Sequence, residues 1–251
     1  MGLFDAIMGD RPSMSDKNLP DSDYKSTISA DDPKFYSKFD KNVSVIIKNE
    51  SSQDHYIDHG VYICFSGKSC AEVLKDLQHK KGASISAKMM RFGTILNEVL
   101  KKPDCRSVFL YGYTSTREAV SRTDLEGIKE LIQGYELLRK RAVGEMNSAV
   151  LYDMLKKNFV YVIGELPRTD ENGNRHFDKS VNIKKFIFTG SDARVSAMCY
   201  LDKRTAKLTY PNEVPSAIRL VELATSVGSV ILEPESSNWV EFDLAHLGKK
   251  N

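Results

Sequence analysis

Three short landmarks occur twice along this chain in the same order, which restricts it to folds built from two copies of one unit. Lys41-Asn42-Val43-Ser44-Val45-Ile46-Ile47 matches Lys157-Asn158-Phe159-Val160-Tyr161-Val162-Ile163 at an offset of 116. Phe65-Ser66-Gly67 matches Phe188-Thr189-Gly190 at 123, and Ser107-Val108-Phe109-Leu110 matches Ser229-Val230-Ile231-Leu232 at 122. A nearly fixed period over strand-like segments marks an internal duplication. The growth in offset assigns the extra residues to Thr169-Asp170-Glu171-Asn172-Gly173-Asn174, a run of turn formers in which insertion costs little closure entropy.

The local pattern of each copy agrees. Residues 43–48 and 61–65 are apolar and rich in β-branched types, so they read as strands. Ser69, with Glu72 three residues on, has the spacing of a capping box and predicts a helix from Cys70. In the second copy Ser191 or Asp192 takes the capping place. A second helix follows in each copy, from the stripe Ile85, Met89, Phe92, Leu96 and Val99, and from Val214, Ala217, Ile218, Val221 and Ala224 with Pro215 in its first turn. Strands at 107–111 and 229–232 close the copies, and a last strand covers 239–243. Each copy reads β-β-α-α-β, and the fold class is α/β or α+β with mixed sheets. Between them Leu125, Ile128, Ile132, Tyr135 and Leu138 line one face of connecting helices, with capping-box starts at Ser115/Glu118 and Thr123/Glu126. The expected organisation is an arm at 1–34, a first unit at 35–114, connecting helices at 115–156 and a second unit at 157–251.

Composition narrows the function classes. A chain of 251 residues, 41% of them apolar, builds a core without a metal or disulfide. Its 36 basic and 34 acidic residues leave a net charge of +2, so no strong field steers it to nucleic acid or anionic lipid. No apolar run approaches the ~18–20 residues of a membrane span. The opening residues lack the basic region and apolar core of a secretory signal, which predicts a cytoplasmic protein. Residues 9–33 are polar, carry Pro12, Pro20 and Pro33, and read as a flexible arm. Leu3, Phe4, Ile7 and Met8 before it form one short apolar face for weak docking, and Ala6 stands where a myristoylation signal has Ser or Thr.

The chemistry-bearing residues form no complete catalytic set. Cys64, Cys70, Cys105 and Cys199 contain no Cys-x-x-Cys pair, so they read as buried thiols of a reducing compartment. His55 and His59 in Asp54-His55-Tyr56-Ile57-Asp58-His59 are the metal candidates. The Gly60 that follows places them in a hairpin connection, with no third ligand. Gly67-Lys68-Ser69 resembles the end of a phosphate loop, but Tyr62 occupies the position of the required first glycine. Asp153, Glu165, Glu233 and Glu235 supply carboxylates without a fixed separation. No cofactor is expected. Residues at strand-to-helix turns and strand ends are the candidates for recognition: Gly67, Lys68, Tyr111, Tyr113 and Trp239.

In the second copy, Phe186-Ile187-Phe188-Thr189-Gly190-Ser191-Asp192, the helical segment at 217–224 and Val230-Ile231-Leu232-Glu233-Pro234-Glu235-Ser236 together resemble the bacterial SseB-type (enhanced serine sensitivity) domain. The resemblance covers about residues 152–243 and, more faintly, 36–113. Gly190 stands where that family has Ser, and Glu233 and Glu235 where it has Asn and Gly. The resemblance implies a cytoplasmic α/β module without established catalysis or cofactor, and it supplies no functional residues. A non-enzymatic protein-binding or accessory role of inhibitor, immunity or adaptor type is the expectation. The alternative is a small metal-assisted hydrolase or nuclease using the His55/His59 region.

Overall fold

The apolar runs near residues 43, 61 and 107 form strands covered on both faces, which is why they read as nearly continuous hydrophobic stretches. The structure is a computed structural model that describes residues 26–30, 32–48, 57, 59–81, 84–114, 117–168, 170, 171, 175, 177, 182–188 and 194–247. Its first half runs α1 (Pro33–Tyr36), β1 (Asn42–Ile47), β2 (Gly60–Cys64), α2 (Gly67–Lys81), β3 (Ser86–Arg91), α3 (Phe92–Lys101), β4 (Ser107–Tyr111) and β5 (Glu118–Ser121). Three helices connect the halves: α4 (Arg122–Glu126), α5 (Lys129–Ala142) and α6 (Ser148–Leu155). The second half runs β6 (Phe159–Ile163), β7 (Lys185–Phe188), β8 (Arg194–Cys199), α7 (Lys203–Thr209), β9 (Pro215–Arg219), α8 (Leu220–Val227), β10 (Ser229–Leu232), β11 (Val240–Asp243) and α9 (Leu244–Leu247). It is a mixed α/β fold, as the sequence pattern predicts.

The halves share part of a pairing pattern, but the second divides into a four-stranded sheet β11-β10-β8-β7 and a two-stranded sheet β6-β9, so that β7 takes the side of β8 that β1 takes of β2. The first sheet has the order β3-β1-β2-β4-β5, with β2 and β4 parallel and the other pairs antiparallel. In the second half β9 pairs β6 antiparallel, β8 pairs β10 parallel and β10 pairs β11 antiparallel. Tyr161 on β6 faces Tyr200 just after β8, where Ser44 faces Cys64 in the first half. Asn42 faces Arg91 as Phe159 faces Arg219, and Ser107 faces Ser121 as Ser229 faces Asp243. Arg91 and Arg219 end their strands with ψ of 139° and 138°, and each leads straight into a helix. The third landmark therefore keeps its offset of 122, while shared register puts Phe159 on Asn42, one residue beyond the 116 match.

Several local expectations are corrected. The Phe65/Phe188 match does not hold, because Phe65 leads into α2 whereas Phe188 ends β7, a hairpin partner of β8. The second half's helix is α7, capped by Asp202, whose carboxylate accepts from Arg204 N; Ser191 and Asp192 lie outside the described residues. The stripes read as single helices split into strand and helix, β3 then α3 and β9 then α8. Registered pairing with β1 along the whole of β3 overrides a coincidental helical spacing, and Pro215 opens the strand β9, a place where its missing N–H is tolerated. Each half thus has a strand between its helices and a further strand at its end. Glu118 opens β5 in place of a helix, and α4 is capped by Ser121, which accepts from Asp124 N.

Residues 1–25 of the expected arm lie outside the described residues, but its last part is built into the fold. Thr27 N donates to Ala119 O at 2.9 Å, while Ser26 Oγ and Thr27 Oγ1 accept from Ser121 N and Ala119 N on β5. Ala30 is buried, as are Phe35 and Tyr36 at the start of the first unit. Alternation along the strands divides the first core: Val43, Val45, Val61, Ile63, Val108 and Leu110 pack on α3 and α5, whereas Ile46, Tyr62, Cys64 and Phe109 pack under α2. The helix α5 gives Leu131, Ile132 and Tyr135 to the first half's core and Leu138 to the second's. Leu201 borders both, and a Cβ at Gly134 would lie 2.8 Å from its Cδ1, so glycine permits the close approach.

Candidate functional site

Parallel strands end side by side, and the crevice beyond their carboxyl ends is the place where mixed α/β sheets carry binding groups. In the first half this is the end of β2 and β4, closed by Phe65 N donating to Tyr111 O at 2.9 Å. The helix α2 starts there at Gly67, three residues earlier than the capping-box spacing suggests. Its cap is Ser66, whose Oγ accepts from Ser69 N at 3.1 Å and lies 2.7 Å from Ser69 Oγ. Gly112 lies against this turn with φ +69°, and a Cβ on it would be 2.5 Å from Ser69 Oγ.

That left-handed residue sends its neighbours to opposite faces of the sheet. Tyr111 stacks on Tyr62 with centroids 6.2 Å apart, packs with the α2-side core, and its hydroxyl is hydrogen-bonded by Arg117. Tyr113 packs edge-on against Phe65 at 5.2 Å on the other face, with Lys38 Nζ 5.7 Å from its ring centroid. Its hydroxyl is buried without a hydrogen-bond partner, and burial, with Asp32 and Glu118 nearby, pushes it up to about 12. Gly67 and Lys68 are exposed, and a Cβ at Gly67 would meet nothing within 4 Å. Gly67, Lys68, Tyr111 and Tyr113 thus lie at one end of the first sheet, with Gly67 and Lys68 exposed on the turn and the two tyrosine rings packed on opposite faces.

Trp239 is not at that end. It precedes β11 in the second half, is 44% exposed, and its backbone N–H donates to Ser236 O. His55 lies outside the described residues. His59 is exposed at φ +63° in a turn closed by Ile57 and Gly60, and its carbonyl accepts from Arg106 N. Among the described residues no three His, Cys, Asp or Glu side chains cluster as metal ligands, and no helix is long and apolar enough to cross a membrane.

The corresponding strand end of the second half is occupied by the protein itself, through Glu233, which the sequence marks only as one of four carboxylates, and through Tyr135, Leu201 and Thr205, which it does not mark as its partners. Glu233 follows β10 at φ +53° and is 3% exposed. Its Oε1 accepts from Leu201 N at 2.7 Å and Thr205 Oγ1 at 2.8 Å, and its Oε2 from Tyr135 Oη of α5 at 2.9 Å. Leu201 N corresponds in register to Phe65 N, so a side-chain oxygen here replaces a backbone carbonyl. Burial pushes the Glu233 carboxyl up to about 7, against the pull of its three donors. Beyond it, Ser236 Oγ and Asn238 Nδ2 donate to the Asp40 carboxylate of the first half at 3.0 and 2.6 Å. Of the other acids considered for hydrolysis, Asp153 pairs with Lys156 and Glu235 accepts from Tyr200 Oη.

No family model and no curated protein matches this chain. Among solved structures the chain is similar to Anabaena Tic22 (protein transport) at 11% identity, over 74% of this chain and 81% of that one, with a TM-score of 0.20. A likeness at that score carries no argument about fold or function.

Proposed function

We propose that the chain is a duplicated α/β module that binds another protein without catalysis, through the strand end of its first half. One observation carries this reading: the strand end of the second half is filled by Glu233, Tyr135 and the Asp40-anchored loop, whereas beside the strand end of the first half the turn after β2 leaves Gly67 and Lys68 exposed. Two copies of one surface are free to diverge, one kept for internal packing and one for a partner. The first strand end suits protein recognition, since tyrosines give contact area at low entropic cost and the adjoining Lys68 selects an acidic neighbour. An SseB-type accessory module of the bacterial cytoplasm, of inhibitor, immunity or adaptor type, fits the same reading.

The test is a pull-down from the native extract with the full chain and three variants. Lys68→Glu and Tyr113→Ala are expected to lose a captured protein that the wild type retains. A change at the distant, exposed Val214 (Val214→Glu) is expected to retain it. Equal capture by all four proteins overturns the assignment of the surface, and a hydrolytic activity lost with His59→Ala overturns the reading as a whole.

A further inference from the structure

We propose that Cys64 and Cys70 are a peroxide-oxidisable pair that closes to a disulfide across the turn bearing Gly67 and Lys68. Cys64 is the last residue of β2 and is buried, whereas Cys70 lies half-buried in the first turn of α2. The turn between them is tight: Cys70 N donates to Ser66 O at 3.0 Å, so the helix doubles back over the strand end. Both side chains pack in the apolar cluster under α2, and their thiols are hydrogen-bonded to each other. The other two thiols are placed differently. Cys105 Sγ donates to Ser107 O at 3.6 Å and Cys199 Sγ to Ile231 O at 3.4 Å, both in buried surroundings.

Exposure orders the chemistry. Cys70 is the less buried of the two, and in the proposed order its sulfur attacks one peroxide oxygen. The O–O bond breaks, one water leaves and Cys70 becomes a sulfenic acid. The Cys64 sulfur then attacks the Cys70 sulfur, the S–O bond breaks, and the Cys64 proton departs with the hydroxyl as a second water. Two thiols have lost two electrons and hydrogen peroxide has been reduced to two waters. Cys64 is suited to resolve and not to initiate, because burial holds it protonated, with its thiol pushed up to about 12. The product ties the first turn of α2 to the end of β2 and so fixes the conformation of the turn. This chemistry is independent of whether that turn docks a partner.

The experiment treats the full folded chain with hydrogen peroxide, blocks remaining thiols and maps the products by mass spectrometry. Trypsin cleaves after Lys68, so Cys64 and Cys70 fall in separate peptides, 49–68 and 69–75, which stay joined only through the bridge. The expected result is that joined pair, a mass lower by about 2 Da, and free thiols falling from four to two with Cys105 and Cys199 still reduced. Cys64→Ser is expected to stop at a dimedone-trappable sulfenic acid on Cys70, and Cys70→Ser to leave Cys64 reduced. Four surviving thiols in the wild type, or a bridge to Cys105 or Cys199, overturns the pair. Oxidation of Cys64 in Cys70→Ser at the wild-type rate overturns the order of attack.

Discussion

Replacing Glu233 by Gln separates charge from shape at the joint between the halves. The variant keeps an oxygen for Leu201 N and Thr205 Oγ1 and offers an amide N–H to Tyr135 Oη, so the hydrogen bonds survive while the charge is lost. Burial raises the folded-state carboxyl to about 7 from an ordinary 4.5. The folded protein therefore holds a proton that the unfolded chain releases over that interval, and the wild type loses stability as pH rises from about 4.5 to about 7. The gap corresponds to ~3 kcal/mol, with no discount for solvent because the side chain is fully buried. Urea unfolding at pH 5, 6, 7 and 8 measures it. The two proteins are expected to be close in stability at pH 5, with Glu233→Gln the more stable by ~3 kcal/mol at pH 8. A difference that stays constant within ~0.5 kcal/mol across the range, or a wild type that gains on the variant as pH rises, refutes the reasoning.

Gly112→Ala forces a side chain into a left-handed backbone and against Ser69 Oγ, so its urea midpoint is expected to fall by the equivalent of ~1–3 kcal/mol; an unchanged midpoint would show that the turn relaxes freely. Asp40→Ala removes the acceptor of Ser236 and Asn238, at a cost of ~1–3 kcal/mol, and is expected to raise amide exchange at 233–239 before that of β10. Lys68→Glu is expected to unfold within ~0.5 kcal/mol of the wild type, because the side chain is solvent-exposed, and a larger shift would make Lys68 a structural residue.

How much of this was legible from the residues follows the range of the forces involved. The strands near 43, 61, 107, 159 and 229 were readable because runs of Val, Ile and Phe fit a pleated surface covered on both sides. The strands β3 and β9 were not, since Ser86-Ala87-Lys88-Met89-Met90-Arg91 has no strong local preference. Its state is decided by the free edge of β1, many residues away. Gly67, Lys68, Tyr111 and Tyr113 were legible as turn and strand-end residues, and the parallel pairing of β2 with β4 places them at the same end of the sheet. Trp239 had the same local signature without that neighbour. Glu233 looked like one carboxylate among many, because its three donors come from α5, from α7 and from the turn before α7.

The difference between the two strand ends reduces to a few side chains. At the end of β4 Tyr111 places its carbonyl on Phe65 N, and Gly112 takes the left-handed turn, so the backbone itself satisfies the Phe65 N–H. After β10 the left-handed residue comes at Glu233 itself, so the backbone turns away one step earlier and the carboxylate folds inward to meet the donors that the missing carbonyl left. A buried carboxylate with a donor from α5 is a strong constraint, because losing any one partner leaves the others facing an unsatisfied charge. That constraint holds the second strand end against α5 and keeps it from a partner, while the first is held open by a cap of two serines and a glycine whose Cβ position faces solvent. Surface chemistry therefore remains at Gly67 and Lys68, which are exposed, in the half whose strand end has no counterpart of Glu233.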